Sequence, residues 1–205
     1  MKHAVLRAAA LALTLVLFAG QAGATSWLKV ADKAAQGLGD RSSSVQHSGT
    51  IEYAFSPHEG AEKLVLKVIG SARSEIRMMT YSLTSAPVVE ALIAARRRGV
   101  DVAIVSDYKN NVADDKSGKA RAALSALVNA GCRVRTISIY PIHHDKVIVA
   151  DRETVETGSF NYSDAAANKN SENVMVVWRN TELAKGYLEH WNSRFSRGDD
   201  YQTRY

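Results

Sequence analysis

The sequence predicts a single-domain α/β fold in which a mixed, largely parallel β-sheet carries helices on both faces. Three observations point there. From Thr50 onward, short β-branched apolar runs alternate with segments of helical spacing, the βαβ rhythm that stacks helices against a buried sheet. Runs such as VDVAIVSD and KVIVAD are apolar nearly throughout, as strands covered on both sides are. At 205 residues, 46% of them hydrophobic, the chain suits one domain with an ample core plus a processed leader.

The leader comes first. MKHAVLRAAALALTLVLFAGQAGA sets Lys2 and Arg7 before an apolar run from Ala8 to Gly20, then ends in Ala22-Gly23-Ala24. That is the layout of a secretory signal peptide over residues 1–24, with cleavage expected after Ala24. The run falls short of the roughly 20 apolar residues of a membrane span, and an uncleaved anchor is the alternative. The mature protein is thus expected in the periplasm or outside the cell, without stable membrane insertion. Residues 25–49 mix small, polar and Gly/Ser positions without periodicity, and predict a linker or N-terminal arm.

Residues 50–205 form the folded domain. IEYAF predicts a strand, Gly60 to Ile69 a helix, and EIRMMTYSL a strand whose Met78 and Met79 pack in the core. Ala86 to Arg98 is a helix with Pro87 in its first turn, where the missing N–H costs nothing. VDVAIVSD is the next strand, Lys119 to Ala130 a helix, and RVRTIS strand-like after the sole cysteine, Cys132. KVIVAD and ETVETG are strands joined by the polar turn Asp151-Arg152-Glu153; NVMVVW is another, and Leu183 to Phe195 closes the domain as a helix.

Chemistry concentrates in His144 to Asn161, HDKVIVADRETVETGSFN. On a strand, side chains two apart share a face, so His144 and Lys146 project together, as do Ser159 and Asn161 beyond the small Gly158. Two short polar pairs meeting one anion point to phosphodiester cleavage. Asp151 lies an odd offset from His144 and should face away, as a support residue bonding backbone or a neighbouring basic group.

The same run matches H-x-K-x4-D-x6-G-S-x-N at His144, Lys146, Asp151, Gly158, Ser159 and Asn161, and so resembles the phospholipase D superfamily. SEIRMMTYSLT, RRRGVDVAIVSD, KNSENVMVVW and LEHW extend the likeness to its small, single-motif bacterial endonucleases, from about Tyr53 to the C-terminus. The resemblance implies a two-step covalent mechanism. His144 is the implied nucleophile that forms a phosphohistidine, and a second motif histidine protonates the leaving oxygen. Lys146 and Asn161, assisted by Ser159, hold the non-bridging oxygens. The motif counts Asp151 with the catalytic set, and Glu172 matches the carboxylate that orients the histidine through its other ring nitrogen. One chain carries one motif and no internal repeat, so the second histidine is expected from a homodimer with both copies of His144 in one site.

The residue chemistry agrees independently. Cleaving an anionic diester needs charge neutralisation by metal ions or by fixed cations and amide donors, and this run supplies the second set. There is no HExxH, no paired cysteine motif and no carboxylate cluster at ligand spacing, so neither metal nor cofactor is expected. His143-His144-Asp145 is a weak metal candidate because neighbours on a strand face oppositely; His143 is expected at the rim.

Elsewhere bland roles compete with sharp ones. Arg96-Arg97-Arg98 suits either phosphate contact or the dipole at a helix end, with the latter favoured. The loop from Tyr108 to Arg121 is equally a solvated loop or a substrate rim. Trp178, Trp191 and Phe195 are expected to pack rather than stack on bases, and His47, His58 and His190 to be surface or structural. Cys132 is expected buried and inert, an intersubunit bridge being the minor alternative.

Removing Lys2 and Arg7 with the leader lowers the net charge from +5 to +3, which permits a polyanionic substrate without demanding one. The leading expectation is a nonspecific endonuclease acting on DNA, with RNA left open as a second substrate. The alternative is a phospholipase D-type lipid phosphodiesterase or phosphatidyl transferase. That activity calls for an exposed apolar docking rim, which no segment after the leader clearly offers. A third possibility is a non-catalytic nucleic-acid-binding module.

Overall fold

A computed structural model describes residue 46 and residues 49–203. The leader lies outside the described residues, as does nearly all of the arm and with it His47.

Strand β1 (Ile51–Ser56) leads to helix α1 (Ala61–Ser71), β2 (Glu75–Thr80), α2 (Ala86–Arg97) and β3 (Asp101–Asp107). A π-helical turn (Lys109–Ala113) and α3 (Lys119–Asn129) precede β4 (Arg133–Ile137). Then come β5 (Lys146–Ala150), β6 (Thr154–Gly158), α4 (Asp164–Asn168), β7 (Glu172–Val177), α5 (Thr181–Phe195) and β8 (Asp199–Asp200). The π turn, α4 and β8 were not anticipated, because so few residues carry no readable period.

All eight strands join one sheet, ordered β1-β7-β6-β5-β2-β3-β4-β8. The sheet is mixed, as expected, but not largely parallel: only β2–β3 and β3–β4 run parallel, and the other five pairings are antiparallel. A parallel neighbour needs a crossover helix, and only α2 and α3 serve in that way. β5 and β6 instead turn back through Asp151-Arg152-Glu153, with both Asp151 and Arg152 in the left-handed region (φ 53° and 60°) and Glu153 N–H bonded to the Ala150 carbonyl.

Alternation along the strands fills two cores. Ile76, Met78, Val102, Ile104, Ile148 and Val176 pack under α1, α2 and α3. Met79, Ala103, Val105, Val147, Val149 and Val155 face α5, so Met78 and Met79 are core residues on opposite sides. Trp191 anchors α5: its indole N–H donates to the Met78 carbonyl (3.1 Å) and its ring stacks on Phe195 (4.4 Å). Capping agrees with sequence. Ser85 accepts the Val88 N–H at the start of α2, where Pro87 is tolerated, and Asn180 accepts the Leu183 N–H at the start of α5.

The basic triplet has mainly structural work. Arg98 donates to the carbonyls of Ile69, Gly70 and Ala72 at the end of α1, and Arg96 to the Gly131 carbonyl. Cys132 is buried, and that burial pushes its thiol up to about 11, as an inert thiol requires.

The surface departs from expectation at the β1 edge. Ile51, Tyr53 and Phe55 alternate outward, and Met175 stands opposite Tyr53 in register. Together they form an exposed apolar strip, Tyr53 being 72% exposed, on the sheet face that α5 covers only in part. An apolar rim, absent from the sequence reading, is therefore present. It went unseen because a period of two does not say which face of a strand is covered.

One polar group lies wholly inside the first core. Glu156 on β6 is fully buried, accepts the Tyr162 hydroxyl (2.8 Å), and leaves Oε1 without a partner. Burial drives its pKa up to about 8, the hydrogen bond opposing. The folded protein thus keeps a proton that the unfolded chain releases near 4.5, and stability falls as pH rises from there to about 8. Glu156→Gln is expected to flatten that fall: its Tm should exceed the parent's at pH 8 by roughly 2–4 °C per kcal/mol recovered, and match it near pH 5, by calorimetry at both pH values.

Candidate active site

The site lies where β2 ends, β5 begins, β6 ends and β7 begins. Antiparallel pairing brings these termini together: Lys146 is opposite Thr80, and Gly158 is opposite Val174. Gly158 is required by space, not by φ. A Cβ there would sit 2.1 Å from the Asn173 carbonyl oxygen, so only glycine lets β6 and β7 approach this closely.

His144 is exposed and sits beside Tyr81, the residue after β2, with ring centroids 4.7 Å apart and planes inclined at 57°. Lys146 is buried, only 6% exposed. Its Nζ donates to the His144 carbonyl (2.9 Å) and lies 5.2 Å from the Tyr81 ring centroid. Desolvation lowers the ammonium's pKa, while the Glu172 and Asp145 carboxylates pull it back up. Asn161 adds a carboxamide whose Oδ1 is buried without a partner; turning the amide over exchanges acceptor for donor at that spot.

Two expected contacts take a different form. Ser159 Oγ donates to Glu172 Oε2 (2.6 Å) and accepts from the Asn173 backbone N–H (3.1 Å) and side-chain amide (3.2 Å). The hydroxyl expected to help hold phosphate is therefore committed to tying β6 to β7. Glu172, expected to orient the histidine, instead accepts from Ser159 and from Asn170 Nδ2 (3.0 Å), and no hydrogen bond joins it to His144 among the described residues. Its field reaches Lys146 through space.

Asp151 is not in the site. It lies past the far end of β5, where Oδ1 accepts the Ser74 N–H and hydroxyl (both 2.8 Å) and the Glu75 N–H (3.0 Å), and Oδ2 accepts the Arg73 N–H (2.9 Å). Burial opposes its ionisation, but the N–H donors of Ser74, Glu75 and Arg73 prevail and hold the carboxyl below its ordinary range. These backbone bonds match the support role that its odd offset from His144 suggests. Asp151 lies seven residues after His144, an odd offset that turns it to the opposite face, and the length of β5 separates the two.

His143 is also corrected, from rim to interior, at 2% exposure. Its backbone N–H donates to Asp107 (2.8 Å) and its Nδ1 pairs with Asp145 (3.2 Å), whose same oxygen lies 3.3 Å from His190 Nε2. His190, expected to be surface or structural, thus pairs with Asp145. Alternation holds as predicted: His143 and Asp145 point one way, His144 and Lys146 the other. No group of three metal-ligating side chains occurs among the described residues.

Sequence reasoning missed Tyr81, Asn111, Asn170 and Asn173. Tyr81 carried one usable signal, its place at the carboxyl end of a predicted strand, where α/β folds set functional groups.

Comparison with known proteins places this geometry in a class. A family model described as cardiolipin synthase, PLD-like domain, matches residues 65–195. A phospholipase D of Rickettsia bellii is 37% identical over 147 residues, 72% of this chain and 70% of that one. Nuc of Salmonella typhimurium, a phospholipase D family member, shares 46% identity and a TM-score of 0.72 over 75% of this chain and 98% of its own. NucT of Helicobacter pylori, 21% identical with a TM-score of 0.63, is alike in fold. The chain belongs to the phospholipase D superfamily and is a phosphodiesterase of that class.

The two structural residues should separate by experiment. Gly158→Ala forces Asn173 away and is expected to cost about 1–3 kcal/mol or more, with phosphodiesterase activity lost along with the Ser159–Glu172 tie. Asp151→Asn keeps a residue tolerant of positive φ but loses the charge, and should cost about 1–2 kcal/mol in denaturant melts while the folded fraction keeps its turnover.

Proposed function

We propose that this protein is a metal-independent endonuclease that hydrolyses DNA through a phosphohistidine on His144. The observation that carries the reading is an exposed imidazole beside a buried ammonium that forms no ion pair among the described residues, in a motif that also supplies a carboxamide whose Oδ1 has no partner among them. Imidazole, ammonium and carboxamide are the nucleophile, cation and amide donor that a phosphodiester demands. In the first step a His144 ring nitrogen bonds to phosphorus, the P–O bond to the leaving group breaks, and that oxygen takes a proton from His144 of a second copy. In the second, water attacks phosphorus, gives its proton to that second histidine and releases His144 by breaking P–N. Lys146 and Asn161 hold the non-bridging oxygens throughout.

The need for two histidines supports a homodimer, and the strip of Ile51, Tyr53, Phe55 and Met175 supplies an apolar surface for it. Likeness to Nuc over nearly all of that chain supports a compact, single-motif enzyme. Export to the periplasm or beyond follows from the leader reading; no helix of the described residues is long and apolar enough to cross a membrane. A lipid phosphodiesterase is the second reading, favoured by the same apolar strip and by the phospholipase D names of the Rickettsia relatives.

Supercoiled plasmid incubated with the purified protein in excess EDTA should be nicked and linearised, and His144→Ala should cut roughly a thousandfold more slowly or less. Mixing parent with excess His144→Ala under subunit exchange should lower activity as the square of the parent fraction, with a bell-shaped pH profile for the parent. Cleavage only after a divalent ion is added would sink the mechanism; hydrolysis of phospholipid vesicles with intact plasmid would move the assignment to lipid.

A further inference from the structure

We propose that the Tyr81 ring is the positioning residue that makes a buried, unpaired Lys146 available to substrate. This rests on the reading of His144 and Lys146 as the reacting groups. A buried ammonium is costly unless something compensates its charge, and the usual device is a carboxylate. Lys146 forms no ion pair among the described residues; its contacts are the His144 carbonyl and the face of Tyr81. An ammonium has three N–H donors, and a carboxylate partner would occupy them and compete with the substrate's oxygens. An aromatic face attracts the cation without accepting a conventional hydrogen bond, so with one N–H on the carbonyl, two remain for an anion. The same ring contacts the His144 imidazole, so one neutral surface sets the spacing of the motif ammonium and imidazole.

Tyr81 is itself held from a distance. The fully buried Asn111, in the π-helical turn, donates to the Tyr81 carbonyl (2.6 Å) and the Asp107 carbonyl (2.9 Å), and its Oδ1 accepts the Leu83 N–H (3.0 Å). Asp107 in turn accepts the N–H of His143 (2.8 Å) and of Asn110 (2.7 Å). One turn thus clamps the platform and the start of the motif segment together. π-helical turns of this kind occur often at functional sites, where they re-aim nearby groups. Part of the Tyr108 to Arg121 loop is therefore neither solvated filler nor a rim but the frame behind the site.

The test compares Tyr81→Phe, Tyr81→Leu and, should the leucine variant fold poorly, Tyr81→Met. Steady-state rates on a chromogenic phosphodiester are measured beside NMR titration of the Lys146 ε-methylene and the His144 ring, assigned with Lys146→Arg and His144→Ala. Phe is expected to keep kcat within about twofold, since the ring and not the hydroxyl acts. Leu or Met should lower kcat roughly 10- to 100-fold with KM little changed. The same variants should lower the Lys146 pKa by about half to one and a half units, at an unchanged Tm. Normal turnover and titration in the Leu or Met variant would overturn the proposal, as would a Phe variant as impaired as Leu, which would assign the hydroxyl. If the parent itself turned over no phosphodiester, the functional reading would fail, while the Lys146 titration would still decide the role of Tyr81.

Discussion

Burying the Lys146 ammonium at the end of a sheet constrains everything around it. The strand that carries it must be covered on both faces, so β5 is buried throughout and central, between β6 and β2. The charge must be offset without being neutralised, or it would have nothing left to offer an anion. The fold meets both demands by separating attraction from pairing. Glu172 and Asp145 act on Lys146 through space while their own oxygens are taken up by Ser159 and Asn170, or by His143 and His190. Direct contact is left to a carbonyl and an aromatic face.

The motif's other members divide between chemistry and carpentry. Gly158 has no side chain because the Asn173 carbonyl occupies the space that a Cβ would fill. That approach allows Ser159 to bridge Glu172 and Asn173, closing the corner in which Asn161 follows. Asp151 works at the other end of β5, where its bonds to the Arg73–Glu75 backbone hold the left-handed turn that makes β5 and β6 antiparallel. Without that reversal Gly158 could not lie near Lys146. A six-residue signature is therefore partly the proposed catalytic set and partly the geometry that assembles it, and fixed spacing alone does not tell the two apart.

The apolar strip on β1 and β7 shows the same economy at the surface. Alternation turns the half-buried Ala54 and the buried Val174 toward the helices and leaves Tyr53 and Met175 outside, on the face that α5 covers only in part. Asn173, one step along that face, holds Ser159. Whatever covers the strip therefore sits next to the site, which is why a partner subunit and a lipid surface are the two readings that it invites.

Most elements were legible in advance, because alternation of two and helical spacing act over a few residues and need no partner. β2, α2, β3, α3 and α5 fall where their patterns put them, and His144 shares a face with Lys146 for the same local reason. The strand pairing was less legible: the apolar runs suggested a parallel sheet, but direction depends on each connection, and the short turn at Asp151 outweighed the βαβ rhythm. The sequence alone determined the composition of the site, the strands that bear it and the odd offset that turns Asp151 away. Only the tertiary structure decided that Ser159 is spoken for, that Glu172 bonds to Ser159 and Asn170, that His143 is interior and that Tyr81 stands beside both His144 and Lys146. Each of those outcomes depends on hydrogen-bond or ring partners brought together from distant parts of the chain or from neighbouring strands, and a linear pattern holds no record of which donor meets which acceptor when the sheet closes.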